Sequence, residues 1–177
     1  MRRLLSRLAE DRRGAAVIEL ALVAPVLALT VIGIVDMSNA YSRKLALEQG
    51  AQRAVELIMQ STKDDTVEGS LKTEVVCQVN GMNVDGTCKT SPIAASNVTV
   101  TFKLECKDSA GTIQSTQTST DGTAFDALTC NSGQKEQRYL EVNVTDKYSP
   151  MFPIHFASFT SADSTYHLQA TAGMRTQ

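Results

Sequence analysis

Residues 15–35 read AAVIELALVAPVLALTVIGIV, and this stretch decides the fold. Glu19 is its one charged residue. At 1.5 Å per residue a helix of this length spans about 30 Å, the thickness of a hydrocarbon core. The flank before it, MRRLLSRLAEDRRG, sets five Arg (Arg2, Arg3, Arg7, Arg12, Arg13) against Glu10 and Asp11, a net of +3. The short basic side is expected to stay in the cytoplasm. Everything past Val35 is then expected outside, in the periplasm of a Gram-negative cell. A cleaved secretory signal has a shorter apolar core, about 7–15 residues, followed by a small-residue A-x-A site. No such site follows Val35. Arg2-Arg3 stands at the extreme N-terminus, without the usual surroundings of a twin-arginine signal.

The rest of the composition narrows the function. The chain has 177 residues, 42% hydrophobic and 20% charged, with no Trp and a net charge of −2. That balance argues against a general nucleic-acid surface. Within the apolar run, Pro25 removes one helical hydrogen bond and is expected to kink the segment. Glu19 is the costly residue. A carboxylate at the centre of a bilayer costs roughly 2.5–3.5 kcal/mol, less near the edge. It is either a tolerated interfacial charge or a functional residue with a partner.

The string RRGAAVIELALVAP, Arg12 to Pro25, resembles the class III leader site of type IV pilins and pseudopilins. It resembles most closely the TadE-like minor pilins, or pseudopilins, of the Tad (Flp, type IVb) pilus system. A short basic leader, Gly14 before the apolar run and Glu19 five residues later carry the likeness; Leu20 stands where the family often has Phe or Tyr. The resemblance implies cleavage between Gly14 and Ala15 by a prepilin peptidase, an aspartyl protease acting at the cytoplasmic face. It also implies subunit registration through Glu19, whose carboxylate would neutralise the N-terminal amine of a neighbouring subunit. The likeness extends into IVDMSNAYSRKLALEQGAQRAVELI. It returns at Tyr148-Ser149-Pro150-Met151-Phe152-Pro153 and at the strand ending ATAGMR, Ala170 to Arg175.

Beyond the membrane run the helix is expected to continue to about Gln60. Met37, Ala40, Tyr41, Leu47, Ala51, Ala54, Val55 and Ile58 fall near one face, with Arg43, Gln49, Glu56 and Gln60 largely off it. Packing of that stripe against a domain is the expected use. Residues 61–70, STKDDTVEGS, read as a linker. The period then changes to two. Val98, Val100, Phe102, Leu104 and Cys106 alternate with polar residues, as do Leu140, Val142 and Val144, and Tyr166 to Met174. Val75, Cys77 and Val79 suggest a shorter strand. Turn signals fall at Asn80-Gly81, Asp85-Gly86, Ala110-Gly111, Asp121-Gly122 and Ser132-Gly133. Residues 149–160, with Phe152, Phe156 and Phe159, are expected to fold over the sheet rather than serve as an interaction surface.

All four cysteines, Cys77, Cys88, Cys106 and Cys130, follow the membrane run. An even number in an oxidising compartment argues for two disulfides, each contributing roughly 2–4 kcal/mol. Three pairings are possible. Cys77–Cys88 with Cys106–Cys130 is favoured, because each bridge then staples one turn-rich loop. No C-x2-C pair suggests zinc.

Catalytic chemistry has little to work with. His155 and His167 are the two imidazoles, and neither sits in a G-x-S-x-G, H-E-x-x-H or C-x-x-C context. Asn97-Val98-Thr99 and Asn143-Val144-Thr145 match glycosylation sequons by chance within strands. The chain is therefore expected not to be an enzyme and to need no cofactor or metal.

The expected architecture is α+β and pilin-like: a long N-terminal helix, membrane-spanning in its first half, packed on a small antiparallel β-sheet domain. The expected parts are a leader (1–14), a transmembrane helix (15–35), a helix extension (36–60) and a periplasmic β-rich domain (61–177). The protein is expected in the inner (cytoplasmic) membrane with its N-terminus in, or delivered from there to an extracellular pilus. Its expected partners are the prepilin peptidase, other pilins and the Tad assembly machinery, and no nucleic acid. Two other readings remain: a minor pseudopilin of a type II secretion system, and a membrane-anchored periplasmic binding protein.

Overall fold

In a computed structural model, which describes residues 12–60, 67–152 and 161–176, the apolar run and the stripe after it form one helix. This helix, α1 (Arg12–Gln60), passes through Pro25 without interruption. Its 49 residues correspond to about 74 Å. The stripe faces the domain only from Ala40 onward. Ala40, Leu47, Ala51, Ala54 and Val55 are buried, whereas Met37 and Tyr41 remain 45% and 63% exposed. The Ile58 side chain lies outside the described residues, as do residues 1–11 of the leader.

The strand expected at Val75–Val79 is not there. Val67–Asn80 is a helix, α2, which also takes up the second part of the segment read as a linker; residues 61–66 lie outside the described residues. Leu71, Val75 and Val79 repeat every four residues and are buried. The helical period accounts for them better than the alternation of three residues. Helix α2 runs antiparallel to α1: Gly50 faces Val75 and Val79, and Arg53 faces Glu74. Gly50 permits the close approach, since a Cβ there would stand 2.7 Å from Val79 Cγ2. Gly81, at φ 79°, ends α2, and its N–H donates to the Cys77 carbonyl. Asn80 then holds the chain returning beneath it. Its amide donates to the carbonyls of Lys89 and Ile93 and accepts from Ile93 N–H, which buries Ile93.

A single 3-10 turn (Ala95–Asn97) leads into a four-stranded antiparallel sheet: β1 (Val98–Lys107), β2 (Ile113–Ser119), β3 (Lys135–Tyr148) and β4 (Tyr166–Arg175). Its order is β2-β1-β3-β4. Strand β2 was not foreseen. Its sequence, IQSTQTS, is polar on both faces, so it carries no alternation to read. Asp121-Gly122 is not a tight turn but the start of a short helix, α3 (Gly122–Asp126), whose first N–H groups donate to the Asp121 carboxylate.

Helices α1 and α2 cover one face of the sheet. The core joins Leu47, Ala51, Ala54, Leu71 and Val75 to Val98, Val100, Leu140, Val142 and Val144. A second cluster under α3 holds Leu104, Cys106 and Phe125, with Phe102 stacked on Phe125 at 5.3 Å between centroids. The other face is polar. There Glu105 lies between Lys103 and Lys107, opposite Gln137, and Lys103 lies opposite Tyr139. Of the three possible pairings, the structure has Cys77–Cys88 and Cys106–Cys130, with Cα–Cα distances of 4.8 and 5.6 Å. The first ties α2 to the hairpin after it. The second ties β1 to the loop before β3.

Candidate functional site

Two places on α1 carry unusual chemistry. The first is the N-terminal half. Gly14 and Ala15 lie within the first turns of the helix, so a peptidase cutting between them would have to unwind that end. Every residue from Ala16 to Val31 is exposed. The apolar surface is continuous around the helix, from Val17, Ile18 and Leu20 to Leu29 and Val31. This helix is long and apolar enough to cross a membrane. Glu19 is exposed within that surface and makes no hydrogen bond or ion pair with any described residue. Thr30, the other polar side chain of the run, donates its hydroxyl to the Leu27 carbonyl and so hides its polarity within the helix.

The second place is where the apolar run ends. Asp36 follows Val35 directly and is buried, only 4% exposed. Its carboxylate accepts the backbone N–H of Met151 at 2.8 Å and of Phe152 at 3.2 Å. Charge-assisted bonds of this kind are among the stronger ones. One helical turn on, Asn39 Nδ2 donates to Met151 Sδ at 3.4 Å. Another turn on, Arg43 Nε donates to Asp146 Oδ2 at 2.7 Å, and Asp146 is itself buried. Tyr148 lies in the same cluster and stacks on Tyr166 at 6.2 Å. Burial pushes the Tyr148 phenol up from its usual range, and the negative charge of Asp36 adds to the effect. These contacts fasten the end of β3 and the loop after it to α1, over more than 100 residues of sequence.

The sequence reading assigned no role to Asp36, Asn39 or Asp146, and placed Arg43 off the packed face. A signal was present: Asp36, Asn39 and Arg43 follow i, i+3, i+7 spacing, which is one face of a helix. Nothing local tied that face to residues 146–152. Of the loop expected to fold over the sheet, Met151 and Phe152 are bound to the helix, and residues 153–160 lie outside the described residues. His155, Phe156 and Phe159 lie outside the described residues. His167 is half-exposed on β4, its Nε2 2.9 Å from Asp163 Oδ2. Lys147 also reaches that carboxylate, at 2.8 Å. Lys147 above all, then His167 and Thr165, hold the Asp163 carboxyl well below the usual carboxylate range. Among the described residues no group of three His, Cys, Asp or Glu side chains is placed to hold a metal.

A bare apolar helix that becomes amphipathic and packs on a small antiparallel sheet defines an α+β protein with a long apolar N-terminal helix. More particularly, residues 14–56 match the family model of TadE-like proteins, so the N-terminal segment is TadE-like and points to a Tad pilus-associated protein. The match runs from the expected processing site to the packed part of α1. It stops short of residues 148–153 and 170–175, where a resemblance was also read. No curated protein and no solved structure matches the chain.

Proposed function

We propose that the protein is a minor pilin or pseudopilin that helps to initiate or assemble a Tad (Flp) pilus. Prepilin peptidase removes residues 1–14 on the cytoplasmic side, and the sheet domain stands in the periplasm. Its role is structural rather than catalytic. The observation that carries this reading is the coincidence of the TadE-like match over 14–56 with a helix whose first half is bare and holds one carboxylate without a partner among the described residues.

The chemistry follows from cost. Removal of the leader takes away five Arg, Glu10 and Asp11, and leaves a new amine at Ala15. Glu19 then carries a charge at the inner edge of the hydrocarbon with no partner among the described residues of its own chain. An amine on an adjacent subunit supplies an opposite charge where the dielectric is low and attraction is strong. A misplaced pair leaves two costly charges, so the contact selects register as well as affinity.

Glu19→Ala tests this pairing. It removes a polar group from the run, so membrane insertion is expected to persist. Recovery of the variant in sheared surface fibres, or of fibres from cells carrying it, is expected to fall at least about tenfold, the effect of losing ~1.4 kcal/mol at an interface. Unchanged fibre yield and unchanged incorporation would count against a registering role for Glu19.

A further inference from the structure

We propose that the loop Ser149–Phe152, held on α1 by Asp36, is a lipid-surface seat that sets the height and tilt of the sheet domain over the membrane. The inference rests on the reading that residues 15–35 span a bilayer. Its own evidence lies elsewhere, in where the chain brings this loop back. Asp36 is the first residue beyond the apolar run, and the loop it grips is therefore at the level where hydrocarbon gives way to headgroups. The loop Ser149-Pro150-Met151-Phe152 carries no charge. Met151 is 69% exposed although its backbone is fixed.

The charged group nearest the span points inward. The Asp36 charge, which would oppose contact with lipid, is buried and taken up by two N–H donors. The same bonds satisfy loop N–H groups that would otherwise be costly at an interface. Ser38, Asn39 and Ser149 are exposed at this level, beside larger apolar and amphipathic side chains. Met37 and Tyr41 stand exposed on another side of α1 within two turns of Val35. Tyrosine at that depth fits the belt in which amphipathic rings sit among headgroups. Met37 and Tyr41 on one side and Met151 on another thus form an open collar where the helix leaves the bilayer. The collar is continuous with the apolar surface of the span, and for that reason we assign it to lipid rather than to a second protein chain.

The absence of Trp from the sequence gives a clean test. The full chain carrying Met151→Trp is reconstituted in vesicles of phosphatidylcholine with a minority of phosphatidylglycerol. Leu27→Trp in the middle of the span serves as the membrane control. The expected result is blue-shifted emission from position 151, quenched more by lipids brominated near the headgroup than by lipids brominated at the chain ends, with the reverse order at position 27. Adding Asp36→Ala to Met151→Trp is expected to abolish most of the quenching at 151 while the control at 27 stays quenched. Water-like emission at 151 beside a quenched position 27 would overturn the seat and leave the membrane span standing. Blue-shifted but unquenched emission at 151 would assign the collar to a protein contact and equally overturn it. No quenching at either position would remove the span and the seat together.

Discussion

The two halves of α1 belong to one helix but are completed by different things. From Ala40 to Val55 the buried residues Leu47, Ala51, Ala54 and Val55 lie on one side, where α2 and the sheet cover them, while Tyr41 and Leu45 stay exposed. From Val17 to Val35, eleven large aliphatics stand 42–73% exposed. Full burial of such a side chain stabilises by roughly 1.5–3 kcal/mol, so this exposure in water forgoes on the order of 10 kcal/mol. That equals the whole stability of an ordinary domain. The first half therefore needs a medium or partner outside its own fold, and the second half does not. The junction at Asp36 is where one regime hands over to the other.

Substitutions can break or sharpen this contrast. Leu47 is fully buried in the packed half. Leu47→Ala is expected to destabilise the sheet domain by about 3 kcal/mol, through lost burial and a residual cavity. Leu27→Ala, in the bare half, is expected to change it by less than about 0.5 kcal/mol. Urea unfolding of the detergent-solubilised chain, followed by circular dichroism, compares the two. Equal effects would erase the distinction between the halves.

Arg43→Ala removes the cation that answers Asp146 and leaves a buried carboxylate behind. Breaking a fully buried pair costs about 3–5 kcal/mol. Arg43 keeps 18% side-chain exposure, so a loss nearer ~2 kcal/mol is expected in the same assay. Asp146→Asn in the Arg43→Ala background is expected to recover part of it. No loss in the single variant would show that the junction is held by Asp36 without this pair.

The smallest effect belongs to the outer surface. Lys147, His167 and Thr165 hold the Asp163 carboxyl below its ordinary pKa in the folded chain. The unfolded chain then takes up more protons as pH falls through about 4, so the contribution of Asp163 is present above that range and is lost below it. Asp163→Asn is expected to flatten the fall in stability between about pH 5 and pH 2 and to change little at pH 7 beyond the exposed contacts it removes. An unaltered acid limb would show that the cluster is too well solvated to matter.

Much of this architecture was legible because the period of the residues was unambiguous. Five apolar residues alternating from Val98 to Cys106 allow only a strand, and the run from Ala15 to Val35 allows only a long apolar helix. Val75, Cys77 and Val79 were too few to separate a period of two from the helical one, and Leu71 was the residue that would have decided it. Strand β2 had no apolar face to betray it; pairing with β1 from Phe102 to Lys107 makes it a strand. At the candidate sites, Gly14 and Glu19 were readable as local sequence. Asp36 was not, because its meaning depends on Met151 and Phe152, brought to it by the whole sheet.

The most direct measurement of the central claim is the N-terminal residue of the mature chain, read by Edman sequencing and intact mass on protein extracted from membranes. The account expects a chain beginning at Ala15, with residues 1–14 absent and the apolar half retained. Recovery of Met1, or of a chain cut beyond Val35, would contradict it.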